Sequence, residues 1–253
     1  MSRKIILLSS ACFQTTVLYN YISKFYAIDL VIEEKPIRGF ALAKRRFKRM
    51  GFFRVSSQIA FTFLVVPFLS LSGKKRIAEL KKEYQFDDTA IPGNKIVRFD
   101  TVNDQGCIEL IQKTKPDIIL VSGTRIISKK VLQSCIAPFI NMHAGITPNY
   151  RGVHGGYWAV ANRDFENFGV TIHRVDAGID TGEVLYQKRI KVSSKDNYTT
   201  YPYLQLGEGL PLMKQAVTDI FAGKLKAGAP LKEKGNLWYH PTLWQYFFYR
   251  PKK

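Results

Sequence analysis

The sequence predicts an α/β fold: a Rossmann-like, mostly parallel sheet flanked by helices. Two observations carry this. Ile5-Ile6-Leu7-Leu8 and Ile118-Ile119-Leu120-Val121 are continuous apolar runs, the pattern of strands covered on both faces and not the alternation of a half-wet sheet. The first run is followed by helical spacing at Leu18, Ile22 and Phe25 and by a second apolar stretch at 28–32. Strand, helix and strand with short links make a βαβ unit, which requires parallel strands.

The remaining elements follow in order. Ile77, Leu80 and Tyr84 share one helical face within 76–84, with charges on the other. Residues 95–99 read as a short strand and 107–113 as a short helix. Pro116-Asp117 opens the strand at 118–121, and Ser122-Gly123-Thr124 follows it, where open α/β sheets hold ligands beyond the carboxyl ends of their strands. Residues 139–142 read as a strand running into His143. Residues 169–175 and 183–192 have strand composition and are joined by Asp176-Ala177-Gly178-Ile179-Asp180-Thr181-Gly182, residues that tolerate turn geometry and hydrogen-bond locally. A helix at 210–221 ends near Gly223.

Two segments depart from this rhythm. Residues 39–72 begin with a basic cluster (Lys44, Arg45, Arg46, Lys48, Arg49, Arg54) and continue into an apolar run at 59–69 that contains Pro67. A spanning helix needs about 20 apolar residues, and this run is shorter and interrupted. A helical insertion packed on the core or on a second subunit is the preferred reading. Peripheral contact with an anionic membrane is the alternative, because basic residues beside an apolar face suit one. Past residue 225 the chain is basic and aromatic, with Trp238, Tyr239, Trp244, Phe247, Phe248 and Tyr249. The expected organisation is a domain at 1–225, carrying the 39–72 insertion, and a tail at 226–253.

With 253 residues, 46% hydrophobic and 23% charged, the chain can bury a large single core, and wholesale disorder is excluded. Cys12, Cys107 and Cys135 lack metal-ligand spacing, and their odd number argues against a disulfide framework. The apolar stretch after Met1-Ser2-Arg3-Lys4 is too short for a signal peptide. A cytoplasmic protein is expected. The net charge of +18 attracts anions such as nucleic acid, anionic lipid, a nucleotide diphosphate or the glutamate tail of a folate; charge alone does not choose among them.

The chemistry-bearing residues cluster in four pieces: Asn141-Met142-His143, Pro148-Asn149-Tyr150-Arg151-Gly152, Gly169-Val170-Thr171-Ile172-His173 and Gly178-Ile179-Asp180-Thr181-Gly182. This set resembles the 10-formyltetrahydrofolate-dependent formyltransferase family, whose pattern is Asn-x-His, a proline-aromatic-glycine turn, a Val-Thr-x-His strand and an Asp-x-Gly loop. The likeness is dense from 116 to 187 and looser elsewhere. It implies the formyltransferase fold, 10-formyltetrahydrofolate as co-substrate, and Asn141, His143 and Asp180 as catalytic residues. It further implies a pterin pocket formed by Gly123, Thr124, Arg125, Ile126, Ile127 and Ile140 together with Asp176, Ala177, Gly178 and Ile179. Thr124 and Arg125 are expected to contribute mainly backbone. Tyr150, His154 and Gly155 are expected near the amine substrate, with Tyr150 and Arg151 also holding the loop. His173 is expected to support the site and not to act in it, and Trp158 to be core.

The residue types suit the reaction. When an amine attacks a formyl carbon, negative charge grows on the formyl oxygen, and donors such as the Asn141 amide and a protonated His143 lower the barrier. The attacking nitrogen must also lose a proton, which Asp180 can accept or relay. No metal is required. Within the family, methionyl-tRNA formyltransferases carry a C-terminal domain larger than the about thirty residues after Lys224, and the deformylases carry an N-terminal regulatory domain. Glycinamide ribonucleotide transformylases place a glycine-rich phosphate loop after the first strand, whereas residues 9–16 here hold no glycine. A small-molecule amine, foremost a nucleotide-linked amino sugar, is therefore the leading substrate expectation, with the purine enzyme second and a methionyl-tRNA formyltransferase-like protein or a non-catalytic membrane-associated module third. Nucleic acid is not expected as a partner; an oligomer is left open.

Overall fold

The computed structural model describes residues 3–37, 39–225 and 235–249, without the side chains of 40–45. The side chains of Lys44 and Arg45, and the tail at 226–234 and 250–253, lie outside the described residues.

The elements in chain order are β1 (Ile5–Ser10), α1 (Phe13–Ser23), β2 (Leu30–Glu34), α2 (Gly39–Met50), α3 (Phe52–Ala60), a π-helical turn (Phe61–Val65), α4 (Val66–Glu83), β3 (Ile96–Phe99), α5 (Gln105–Thr114), β4 (Ile118–Ser122), α6 (Lys129–Leu132) and β5 (Phe139–His143). They continue with β6 (Tyr150–Gly152), α7 (Gly155–Ala161), β7 (Gly169–Arg174), β8 (Val184–Arg189), α8 (Tyr201–Phe221), β9 (Asn236–Trp238) and α9 (Leu243–Phe248). The main sheet runs β3-β2-β1-β4-β5-β7-β8. Its first five strands are parallel, and β7 and β8 extend it antiparallel.

Period-two alternation sends the residues of β1 to two cores. Ile5 and Leu7 join Leu18 of α1 and Met213 of α8 on one face. Ile6 and Leu8 join Ile108 and Ile111 of α5 on the other. Both faces are thus covered, as the continuous apolar runs require.

Pro67 does not break the insertion. Residues Phe52–Glu83 form one continuous helical rod of 32 residues, which absorbs the separate helix expected at 76–84. Pro67 sits in the first turn of α4, and the widened π turn precedes it. The turn opens the backbone where the proline ring would otherwise meet the carbonyl four residues earlier. Helix α8 likewise begins nine residues before its expected start. Gly207, Gly209 and Pro211 argue against a helix there, but the glycines serve packing: a side chain at Gly207 would strike the Tyr84 ring, and one at Gly209 the Met142 sulfur.

The described part of the tail is built into the fold. β9 pairs with β6, Trp238 stacks on Trp158 at 4.6 Å, and Trp158 Nε1 donates to the Tyr239 carbonyl at 2.8 Å. Trp158 is buried.

Candidate active site

The register between β5 and β7 assembles the site. Asn141 lies opposite His173, and His143 opposite Thr171. Residues two apart on a strand share a face, so Asn141 and His143 project together with His173 beside them. The loop after β7 returns Asp180 to the same place. Asp176 shapes that loop, its Oδ1 accepting from Gly178 N at 3.0 Å and from the Thr181 hydroxyl at 2.8 Å. Arg151 Nη1 donates to the Ile179 carbonyl at 3.1 Å. Asp180 itself has φ of +50°, a left-handed geometry that Asp tolerates.

Asp180 sits between two imidazoles. Its Oδ2 is 3.4 Å from His143 Nδ1, and its Oδ1 is 3.5 Å from His173 Nε2. Oδ2 also accepts from Gly152 N at 2.8 Å. Burial alone would raise this carboxyl, but the facing His143, the His173 hydrogen bond and the Gly152 amide outweigh it and hold the group at about 2. The carboxylate is therefore ionised throughout the neutral range.

The outer nitrogen of each histidine is committed to a carbonyl. His143 Nε2 lies 2.6 Å from Tyr150 O, and His173 Nδ1 2.7 Å from Arg174 O. A carbonyl only accepts, so both nitrogens carry protons. That leaves His143 Nδ1 and His173 Nε2 as the nitrogens turned towards Asp180. The Asn141 amide nitrogen is 3.1 Å from His173 Nε2, which accepts from that amide when unprotonated and donates to Asp180 when protonated; the other amide N–H is free to face a ligand. The expectation that His143 donates to the substrate oxygen meets a geometric difference: in this orientation the ring donates to Tyr150 O instead. His173, expected only to support the site, touches both Asn141 and Asp180.

These residues border a cleft of about 850 Å³. One wall carries Gly123, Thr124, Arg125, Ile126 and Ile127, another Asp176, Gly178 and Ile179. Arg125 does more than lend backbone. Its Nε donates to Glu34 Oε2 at 2.9 Å, its own N–H to Glu34 Oε1 at 2.5 Å, and its Nη2 to the carbonyls of Lys35 and Asp100. This buried carboxylate pins the wall to the end of β2. Ile140 and Ala177 do not line the cleft: Ile140 faces the core with Leu120 and Ile172, and Ala177 points outward at the loop tip.

Tyr150, His154 and Gly155 also depart from expectation. Tyr150 is buried, its hydroxyl donating to Asp164 at 2.8 Å and its ring stacked on Trp238. His154 Nε2 lies 2.7 Å from the Tyr198 hydroxyl and 3.2 Å from His240 Nδ1. Gly155 packs so tightly that a Cβ would come within 2.9 Å of Ala144 O. Tyr150 is fixed by the pairing of β6 with β9, while φ of +91° at Gly152 and +59° at His154 turns the chain between β6 and α7 and sets the positions of His154 and Gly155.

Two further groups line the cleft. Arg46, Arg49 and Met50 of α2 reach the cleft, as do Trp238, Tyr239 and His240 of the tail. The signal was present as a basic cluster and an aromatic tail, but nothing in the sequence placed either beside the β5 end. Among the described residues no cluster of three or more His, Cys, Asp or Glu side chains is placed to hold a metal ion.

The His154–His240 pair makes the insertion contact acid-sensitive. Burial, then the neighbouring His240, lowers His154 to about 3; burial, then Arg46, lowers His240 to about 4. An unfolded histidine titrates near ~6.5. Below that pH the unfolded chain binds protons that the folded chain refuses, so stability falls from about pH 6.5 towards the folded values near 4 and 3. Melting temperature followed from pH 7.5 to 4.5 (roughly the histidine range) should decline, and less steeply in His240→Gln. Equal slopes in the two proteins would remove His240 as a source.

The likeness to known proteins agrees with this geometry. The family model described as "Formyl transferase" matches residues 67–204. The methionyl-tRNA formyltransferase of Methylacidiphilum infernorum is 36% identical over 126 residues, covering 49% of this chain and 39% of that protein. The chain spans less than half the length of the first curated relatives it matches. Two solved structures share the fold. The phosphoribosylglycinamide formyltransferase of Anaplasma phagocytophilum has a TM-score of 0.60 at 15% identity, covering 89% of this chain and 90% of that one. A sugar N-formyltransferase from Shewanella sp. FDAARGOS_354 has a TM-score of 0.57 at 16% identity, covering 94% and 76%. With the matched region taking in more than half of the 253 residues and containing Asn141, His143, His173 and Asp180, the chain belongs to the formyl transferase family.

Proposed function

We propose that this chain transfers the formyl group of 10-formyltetrahydrofolate to a primary amine. The observation that carries the proposal is the meeting of Asn141, His143, His173 and an ionised Asp180 at one cleft. The cleft suits a flat ring with polar edges. Val121, Ile127 and Val175 supply apolar surface, and the 123–127 and 176–179 segments supply backbone donors and acceptors.

The folate supplies an activated formyl carbon. The protein's part is to place the amine beside it and to move one proton. The second N–H of Asn141 faces charge developing on the formyl oxygen. His143 Nδ1 takes the proton from the amine, and Asp180, kept ionised by its surroundings, stabilises the positive charge that the ring gains. The same proton is available to the folate nitrogen as the carbon–nitrogen bond to it breaks. His173 holds Asn141 in register and shares the Asp180 charge.

For the amine we propose an amino sugar linked to a nucleotide diphosphate. Arg46 and Arg49 on the cleft wall suit the diphosphate, and Trp238 and Tyr239 offer flat faces to a base or sugar. A second reading, formylation of a methionyl-tRNA, is favoured by the curated relatives and the +18 charge. Tetrahydrofolate release measured with a panel of amino-sugar nucleotides, glycinamide ribonucleotide and charged initiator tRNA separates these. Turnover with a sugar nucleotide alone supports the proposal. Turnover with tRNA alone transfers the assignment, and silence with every amine removes the enzymatic reading.

A further inference from the structure

We propose that the outward face of the Phe52–Glu83 helix docks on the surface of an anionic lipid bilayer, lying along it and not spanning it. By length and composition this helix is long and apolar enough to cross a membrane, yet only 22% of its most apolar stretch is buried in the protein. The core helix of a soluble domain would be mostly covered.

Its inward face explains why it does not span. Gln58 Nε2 donates to His240 O at 2.6 Å, Phe61 packs between the rings of Tyr198 and Tyr246, and Asn197 Nδ2 donates to Leu69 O at 3.2 Å. Gly73 lets Thr199 and Thr200 pack directly on the helix. These contacts tie the rod lengthwise to the domain. Insertion across a bilayer would strip them and leave Gln58 unpaired in hydrocarbon.

The outward face is a different surface. Phe52, Phe53, Phe63, Leu64, Phe68 and Leu71 range from 67% exposed at Phe52 and 69% at Leu64 to 88% at Phe53. Single exposed apolar residues are ordinary, but a run of large ones along one rod marks an interaction surface. Helix α9, anchored to α3 by Leu243 N donating to Ser57 Oγ at 3.1 Å, adds exposed Trp244, Phe247 and Phe248. The amphipathic indole of Trp244 favours the headgroup level, and Phe247 and Phe248 add apolar area.

Charge selects the occupant. From Lys35 to Ala78 the sequence holds eleven lysines and arginines and no aspartate or glutamate. Arg54 flanks the apolar face at one end, and Lys74 and Lys75 at the other. Glu79 and Glu83, at the far end of the helix, face Arg76, so two copies apposed through the apolar face would press Arg54, Lys74 and Lys75 together with little acidic charge to offset them. An anionic headgroup layer takes both the apolar stripe and its basic flanks.

The test is flotation of the whole chain with vesicles of mixed phosphatidylglycerol and phosphatidylcholine, and of phosphatidylcholine alone. The intact chain should float with the anionic vesicles and much less with the neutral ones. The triple variant Phe53→Ser, Phe63→Ser, Phe68→Ser should lose about tenfold or more in bound fraction. Lys74→Glu with Lys75→Glu should weaken binding to anionic vesicles only. Both variants should keep the parent's circular dichroism and melting. Failure of the intact chain to float, or flotation unchanged in the triple variant, overturns the proposal. So does a solution dimer that the triple variant dissolves, which would give the face to a second copy. The inference does not rest on formyl transfer, since flotation without turnover would leave it standing and remove only that reading.

Discussion

Asp180→Asn is expected to lower kcat by about 10²-fold or more while leaving the fold in place. Asparagine accepts the left-handed backbone that residue 180 adopts at φ +50°, and its side-chain oxygen can still receive the Gly152 N–H. What disappears is the negative charge facing His143 Nδ1 and His173 Nε2. The substitution thus separates charge from shape. A modest stability loss should accompany it. The native carboxyl sits near 2, below its unfolded value of about 3.9. It therefore contributes about 2 kcal/mol at pH values above the unfolded value, and this is lost as pH falls towards 2. The measurements are tetrahydrofolate release under saturating substrates and a thermal melt. Turnover close to the parent's would reject the role given to this carboxylate.

Asn141→Ala is expected to cost roughly 2–4 kcal/mol of transition-state stabilisation, about 10²- to 10³-fold in kcat, as the loss of one donor to a developing oxyanion. On the proposed mechanism Asn141 carries more of that task than the sequence suggests, because the His143 ring donates to Tyr150 O at 2.6 Å. Removal of the amide also frees His173 Nε2, so part of the effect comes from lost positioning. Parallel loss in kcat and kcat/KM fits a contact made only in the transition state. A change confined to KM would reassign Asn141 to binding.

The parallel half of the sheet was legible because a strand covered on both faces must be apolar at every position, as 5–8 and 118–121 are. The existence of two further strands at 169–174 and 184–189 was legible too, but not their antiparallel pairing, which depends on the long-range return of the chain. The early turns of α8 were hidden by glycine and proline, whose meaning there lies in contacts with Tyr84 and Met142. Pro67 misled for a similar reason: a π turn makes room for it. In the site, Asn141, His143 and Asp180 could be singled out only through the resemblance to the family's Asn-x-His and Asp-x-Gly pattern, because a polar residue at a strand end or in a turn is ordinary by itself. Tyr150 could not be placed because its direction is set by the distant pairing of β6 with β9, nor His154 and Gly155, which depend on left-handed backbone at Gly152 and His154. Arg46 and Trp238 reach the cleft from segments far apart in sequence, which no local pattern reveals.

One carboxylate faces two imidazoles, and formyl transfer between two nitrogens is neutral in protons: one leaves the attacking nitrogen, and one arrives on the nitrogen that departs. With both outer ring nitrogens tethered to Tyr150 O and Arg174 O, only the inner ones face the carboxylate and the cleft. On the proposed route a proton taken from the amine is returned to the departing nitrogen within the same turnover, without a net exchange with bulk water. Slowing by deuterium oxide should therefore reflect hand-over inside the cleft and be insensitive to buffer concentration.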